Sequence, residues 1–199
     1  MHSLLRYLAI LWTATGLMAQ TVSDLNSLVL QGDRYAAHAM ADRKPRRSLS
    51  LFRIIGAGAR PHPCLMEKST DLQEWTLIYQ IDPDNGPAPG PVDDGQQSVA
   101  LHCCRGFFQD MVWSPLPVFD CRSLECIWIT LTLDGAISQL NQGGHTRGFS
   151  TLTIIRPLHP HYPDECTFIF KCDPERLYVG ISAQTGQELW TEPFLSEAE

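Results

Sequence analysis

The chain has no apolar run long enough to cross a bilayer. A spanning helix needs about 20 apolar residues, and the nearest approach, Tyr7 to Met18, stops at 12. Basic residues are scarce where nucleic acid would need them. Six of the 15 lie before Ser48 with three of the 22 acidic ones, so residues 48–199 hold nine and 19, a net charge of −10. A domain so acidic, with its cations scattered, lacks the patch that a phosphate backbone requires, which argues against nucleic acid as a partner. Cysteine is absent from the first 63 residues. No complete catalytic or cofactor motif is present either. Ile54-Ile55-Gly56-Ala57-Gly58-Ala59-Arg60 has Pro61 where a dinucleotide fingerprint needs its third glycine, and Gly180-Ile181-Ser182-Ala183-Gln184 lacks the second glycine of a nucleophile elbow.

What is present begins with an export signal. His2 and Arg6 make a weakly basic start, the run Tyr7 to Met18 follows, and Leu17-Met18-Ala19 offers a cleavage point before Gln20. Residues 1–19 therefore read as a signal peptide, and the mature protein as secreted and extracellular. In residues 20–47, Leu25, Leu28, Val29, Tyr35, Ala36, Ala39 and Met40 recur at helical spacing after a Ser23 or Asp24 cap, with Gly32 weakening the middle. The segment ends in Arg43-Lys44-Pro45-Arg46-Arg47, a basic cluster of the kind cut by subtilisin-like processing proteases. Two readings stand: a removable pro-helix released after Arg46-Arg47, or a helix docked on the domain and followed by a solvated linker.

Residues 48–199 are patterned for strands. Trp75, Leu77, Tyr79 and Ile81 alternate with Thr76, Ile78 and Gln80, and Val99, Leu101 and Cys103 alternate with Ala100 and His102. With Leu49–Ile55, Met111–Phe119, Cys126–Leu133, Thr151–Ile155, Cys166–Lys171, Leu177–Ile181 and a last piece near Glu188–Trp190, the count reaches about nine short strands, which suits a sandwich or barrel. In an oxidising compartment the seven cysteines, Cys64, Cys103, Cys104, Cys121, Cys126, Cys166 and Cys172, are expected to form cystines. The odd count leaves one over, which opens a route to a homodimer. Adjacent Cys103 and Cys104 would point to opposite faces of a strand and so reach different partners. The expected fold is thus a mostly β, disulfide-stabilised sandwich or barrel with one N-terminal helix.

Candidate chemistry is thin. Asp82 to Gly95, with four prolines and three glycines, is a long loop suited to binding or to mobility, but its aspartates miss the calcium-loop spacing at Gly86. His159, His161, Asp164 and Glu165 gather two imidazoles and two carboxylates, and His145 adds a third imidazole; these are the residue types of acid–base work. Prolines Pro157, Pro160 and Pro163 favour a geometry of three residues per turn that does not put His159 and His161 on one side, so neither a metal nor a cofactor is expected there. Thr185-Gly186-Gln187-Glu188-Leu189-Trp190 resembles one repeat end of a quinoprotein-type β-propeller. A propeller needs several copies, however, and a hairpin at Gly186 explains the segment. The leading expectation is a secreted, effector-like or toxin-like binding protein without catalytic activity, whose partner is an extracellular protein or glycan. The alternative is a secreted hydrolase using the histidines and carboxylates named above.

Overall fold

Along residues 74–81 the side chains alternate between fully and half buried, the mark of a strand with one face on a core. The same logic repeats through the chain. The computed structural model describes residues 24–41, 48–59, 65–81, 97–124 and 129–194. Its nine strands are β1 (Leu49–Ala57), β2 (Glu74–Ile81), β3 (Ser98–Cys104), β4 (Phe107–Ser114), β5 (Cys121–Arg122), β6 (Thr151–Pro157), β7 (Thr167–Cys172), β8 (Leu177–Ser182) and β9 (Glu188–Pro193). They form one open antiparallel sheet in the order β4-β3-β2-β1-β6-β7-β8-β9, with short β5 beside β6. Two four-stranded meanders, β1–β4 and β6–β9, thus meet along the β1–β6 pair.

Register puts one apolar row across the sheet: Met111, Leu101, Leu77, Ile54, Ile154, Phe168 and Ile181 stand opposite one another in turn. Six of these seven are buried and Met111 packs against them. Helix α1 (Leu25–Ala41) covers this inner face at the first meander. It starts at Asp24, whose carboxylate accepts from the Asn26 backbone N–H at 3.0 Å, and it buries Leu25, Leu28, Gly32, Ala36 and Met40. Gly32 is the point of closest approach, since a Cβ there would lie 2.5 Å from Leu77 Cδ2 and 2.8 Å from Tyr79 Oη. The Tyr79 hydroxyl donates to Asp33 at 2.9 Å, and Tyr35 stacks on Phe108 with ring centroids 5.5 Å apart. Gly32 thus serves close packing, where the sequence suggests only weakness.

Helix α2 (Leu133–Gln142) corrects an expectation. Cys126–Leu133 reads as a strand; residues 125–128 lie outside the described residues, 129–132 are irregular, and Leu133 opens a helix. Thr132 caps it by accepting from the Gly135 N–H at 3.1 Å. Leu133, Ala136, Ile137 and Leu140 then supply the buried stripe. The expected strand Met111–Phe119 also stops early, at Ser114, because Pro115 and Pro117 cannot donate to a ladder.

The mostly β expectation and the N-terminal helix hold, but the sheet is open rather than closed into a barrel. Cystine stabilisation is not seen among the described residues: Cys103, Cys104, Cys121, Cys166 and Cys172 carry free thiols. All but Cys104 are buried, where a thiol packs as a small hydrophobe. Burial pushes the Cys121 thiol up to about 11 and the Cys166 and Cys172 thiols up to about 12. Cys64, Cys126, the leader ending at Ala19, the basic pair Arg46-Arg47 and the loop Asp82–Gly95 lie outside the described residues. Among those described, no helix is long and apolar enough to cross a membrane.

Candidate functional site

The acid–base candidates do not converge. His159 and His161 sit on the loop after β6 with ring centroids 5.2 Å apart, and they continue a column of rings: His159 on Tyr162 at 5.0 Å, Tyr162 on Trp190 at 4.7 Å. Trp190 in turn lies over Gly180, where a Cβ would fall 2.3 Å from the indole. The column anchors the loop to the β8–β9 hairpin. Asp164 is held by a bidentate bond from Arg156, at 2.7 and 2.9 Å, with Arg122 at 3.2 Å, and Arg156 above all keeps its carboxyl below the usual range. Glu165 accepts from the Ser182 hydroxyl at 2.7 Å. His145 is elsewhere, after α2, with Nδ1 2.6 Å from Glu175 and Nε2 3.7 Å from Glu188. Each carboxylate near a histidine or on its loop already ties structural elements together. No group of three or more metal-ligating side chains occurs among the described residues.

The nucleophile and dinucleotide fragments are likewise accounted for by packing. Ser182 Oγ accepts from the backbone N–H groups of Gln184 and Thr185 at 3.3 and 3.1 Å, which closes the β8–β9 turn with Gly186 at φ +75°. Gly56 lies within β1, which is antiparallel to both its neighbours, so no βαβ unit exists there. Its missing side chain admits Leu72 and Trp75, each 2.9 Å from where a Cβ would be.

The outer face of the first meander carries a groove of about 450 Å³, inside the range of small-ligand sites. Its floor is one cross-strand row: Arg53 on β1 faces Ile78 on β2, Ile78 faces Ala100 on β3, and Ala100 faces Val112 on β4. Ala100, the smallest of the four, makes the depression. The roof is the segment after β4, Leu116-Pro117-Val118-Phe119-Asp120. That segment is pinned at both ends. Ser98 Oγ donates to the Leu116 carbonyl at 2.6 Å and the Leu116 N–H donates to Ser114 Oγ at 3.1 Å, while Asp120 pairs with Arg53 and its carbonyl accepts from the Leu158 N–H at 3.1 Å.

The groove differs from its surroundings in two ways. Its roof exposes large apolar side chains, Leu116 at 65% and Phe119 at 73%, and Val112 at the end of the floor row is 53% exposed. Its inner end holds an ion pair, Arg53 with Asp120, beside the neutral Cys121 thiol; the thiol donates to the Phe52 carbonyl at 3.4 Å, and Arg53 Nε is shielded from solvent without a hydrogen-bond acceptor. A second cavity of about 480 Å³ lies between α2 and residues 66–68. Its apolar walls, Met66, Ile137, Leu140 and Phe149, belong to the core itself.

None of the groove residues stands out in the sequence as a site. Ile78 is an apolar residue on the otherwise polar side of its strand, and Leu116-Pro117-Val118-Phe119 is an apolar stretch in a proline-broken segment; those are the two signals that point here. No family model matches the chain, and no curated protein matches it at a significant level. A solved structure from Clostridium difficile 630, that of a candidate lipoprotein, is similar over 84% of this chain and 90% of its own length, with 10% identity and a TM-score of 0.43. A likeness that distant carries no argument about ligand or activity.

Proposed function

We propose that this chain is an exported, non-catalytic binding protein and that the outer-face groove is where it binds. The observation that supports this reading is a preformed, largely aliphatic trough with an exposed apolar roof on a rigid sheet. Large apolar side chains left in water around a concave site are the usual mark of a binding surface. The dispersal of His145, His159, His161, Asp164 and Glu165 over separate structural ties weighs against the hydrolase reading, because acid–base catalysis needs its groups within reach of one substrate. Aliphatic walls suit an apolar partner better than a glycan. Export rests on the leader ending at Ala19; residues 20–47 carry a helix docked on the sheet, and its release would require cutting at Arg46-Arg47. Cystine formation in the extracellular state stays part of the proposal.

The test uses the full chain and a neutral naphthylamine fluorophore. The fluorophore should bind with enhanced emission, Ala100→Phe should abolish binding by filling the floor, and His145→Ala should leave it unchanged. Binding that survives Ala100→Phe, or an ester- or glycoside-hydrolysing activity lost in His145→Ala, would overturn the reading.

A further inference from the structure

The chemistry at the inner end of the groove narrows its occupant. Among the described residues Arg53 is the only cationic one lining the trough, at one end of an otherwise apolar floor row. One of its terminal nitrogens pairs with Asp120, a side chain 66% exposed, whereas the Arg53 side chain is 24% exposed. An exposed carboxylate is a weak, solvent-screened counter-ion. Arg53 Nε, by contrast, is buried and has no acceptor, so the desolvation of that N–H is uncompensated. The neighbouring Cys121 thiol offers it no anionic partner, being directed at the Phe52 carbonyl. Because Nε is shielded from solvent, a ligand in the trough meets Arg53 through its terminal N–H groups, which a carboxylate accepts from once Asp120 gives way.

We propose that the groove binds a small amphipathic monocarboxylate, with its carboxylate on Arg53 and its apolar body along Ile78, Ala100 and Val112 beneath Leu116 and Phe119. This rests on the groove being the binding site. The single cation is already paired with Asp120, so a monocarboxylate is balanced only by displacing Asp120, and a dianion would be repelled by the acidic domain around it. The floor row crosses four strands, about 14 Å at the usual interstrand spacing, which suits a medium-length chain such as decanoate lying across the sheet. Asp120 then acts as a built-in competitor, holding Arg53 when the groove is empty.

Displacement of the naphthylamine fluorophore from the full chain, at low salt and below micelle-forming concentrations, separates the two levels of the argument. Decanoate should displace it at least tenfold more tightly than decanol. Arg53→Gln should remove that preference while leaving decanol unchanged, and Asp120→Asn should strengthen decanoate several-fold with no effect on decanol. Circular dichroism checks that each variant is folded, and Asp120→Asn carries the test if Arg53→Gln is not. Equal displacement by decanoate and decanol, or an Asp120→Asn variant that binds decanoate no better, overturns the carboxylate and leaves the groove as an apolar site. If neither compound displaces the fluorophore, and Ala100→Phe does not block it, the groove itself is not the site and the inference falls with it.

Discussion

The two meanders finish their outer faces differently. On β6–β9 the face is closed by the chain's own rings: Trp190 lies over Gly180, Tyr162 stacks on Trp190 and bonds Glu192, and His159 follows. On β1–β4 the covering segment stands off the sheet, pinned at Leu116 and Asp120, and leaves Val112, Leu116 and Phe119 in water around a trough. Both faces have a loop, ring or aliphatic side chains and a small residue in the sheet. At Gly180 the small residue is filled by a neighbour; at Ala100 it is left open. Apolar surface that a fold could cover and does not cover is best explained by something that arrives from outside.

That contrast predicts opposite costs on the two sides. Gly180→Ala must push the indole of Trp190 away from a contact of 2.3 Å, an overpacking cost of about 1–3 kcal/mol, and Trp190→Ala should lose about 2 kcal/mol, less than a fully buried tryptophan. Phe119→Ser and Leu116→Ser should change stability by no more than about 0.5 kcal/mol while abolishing fluorophore binding. Urea unfolding of the four variants checks this. A Phe119→Ser chain that is as destabilised as Trp190→Ala would make the roof a structural element.

Helix α1 supplies the next largest effect. Alanine in place of Gly32 would favour the helix by about 1 kcal/mol in isolation, yet its methyl meets Leu77 and Tyr79. Overpacking of that kind typically costs about 1–3 kcal/mol. A net loss of about 1 kcal/mol is expected in the melting of the full chain, and a gain would mean that α1 does not sit tightly on the sheet. The same contact bears on processing. A helix that buries Leu25, Leu28, Ala36 and Met40 on the core would uncover that patch on release, so a chain beginning at Ser48 should bind apolar dyes more strongly than the full chain.

A smaller, spectroscopic difference follows from Tyr162. Its hydrogen bond to Glu192, with burial and the carboxylate charge adding to it, pushes its pKa up to about 12, against an ordinary value of about 10. Because the folded value is raised, this bond's contribution is fully present below pH 10 and is lost as pH rises through about 12. Ultraviolet titration should show Tyr162 ionising late in the natural chain, and Glu192→Gln should return that one tyrosine toward the ordinary range. The smallest signal is chemical. At pH 8, half-buried Cys104 should be alkylated before Cys103, Cys121, Cys166 and Cys172, whose thiols are buried. After unfolding, at least five thiols should react if those five are free, whereas two bridges among the seven cysteines would leave at most three.

Much of the sheet is legible from alternation alone, as in Trp75, Leu77, Tyr79 and Ile81, because burying one face imposes a period of two. Helix α2 is not. The β-branched and aromatic run before it suggests a strand, and Asp134-Gly135 looks like a turn, whereas Thr132 caps a helix through Gly135 and Leu133, Ala136, Ile137 and Leu140 form its stripe. The groove is harder still. Arg53, Ile78, Ala100 and Val112 come from four strands and are neighbours only once register is known. The histidine loop draws attention for its residue types, yet its carboxylates are held by Arg156, Arg122 and Ser182.

The most direct test of the groove is nuclear magnetic resonance of the isotope-labelled full chain, titrated with decanoate. The backbone amides of Ile78, Ala100, Val112, Leu116, Val118, Phe119 and Asp120 should shift together and saturate at one stoichiometric equivalent. Shifts confined to the ring column at Tyr162 and Trp190, or to the cavity beside Met66 and Phe149, would contradict the assignment of binding to the open face.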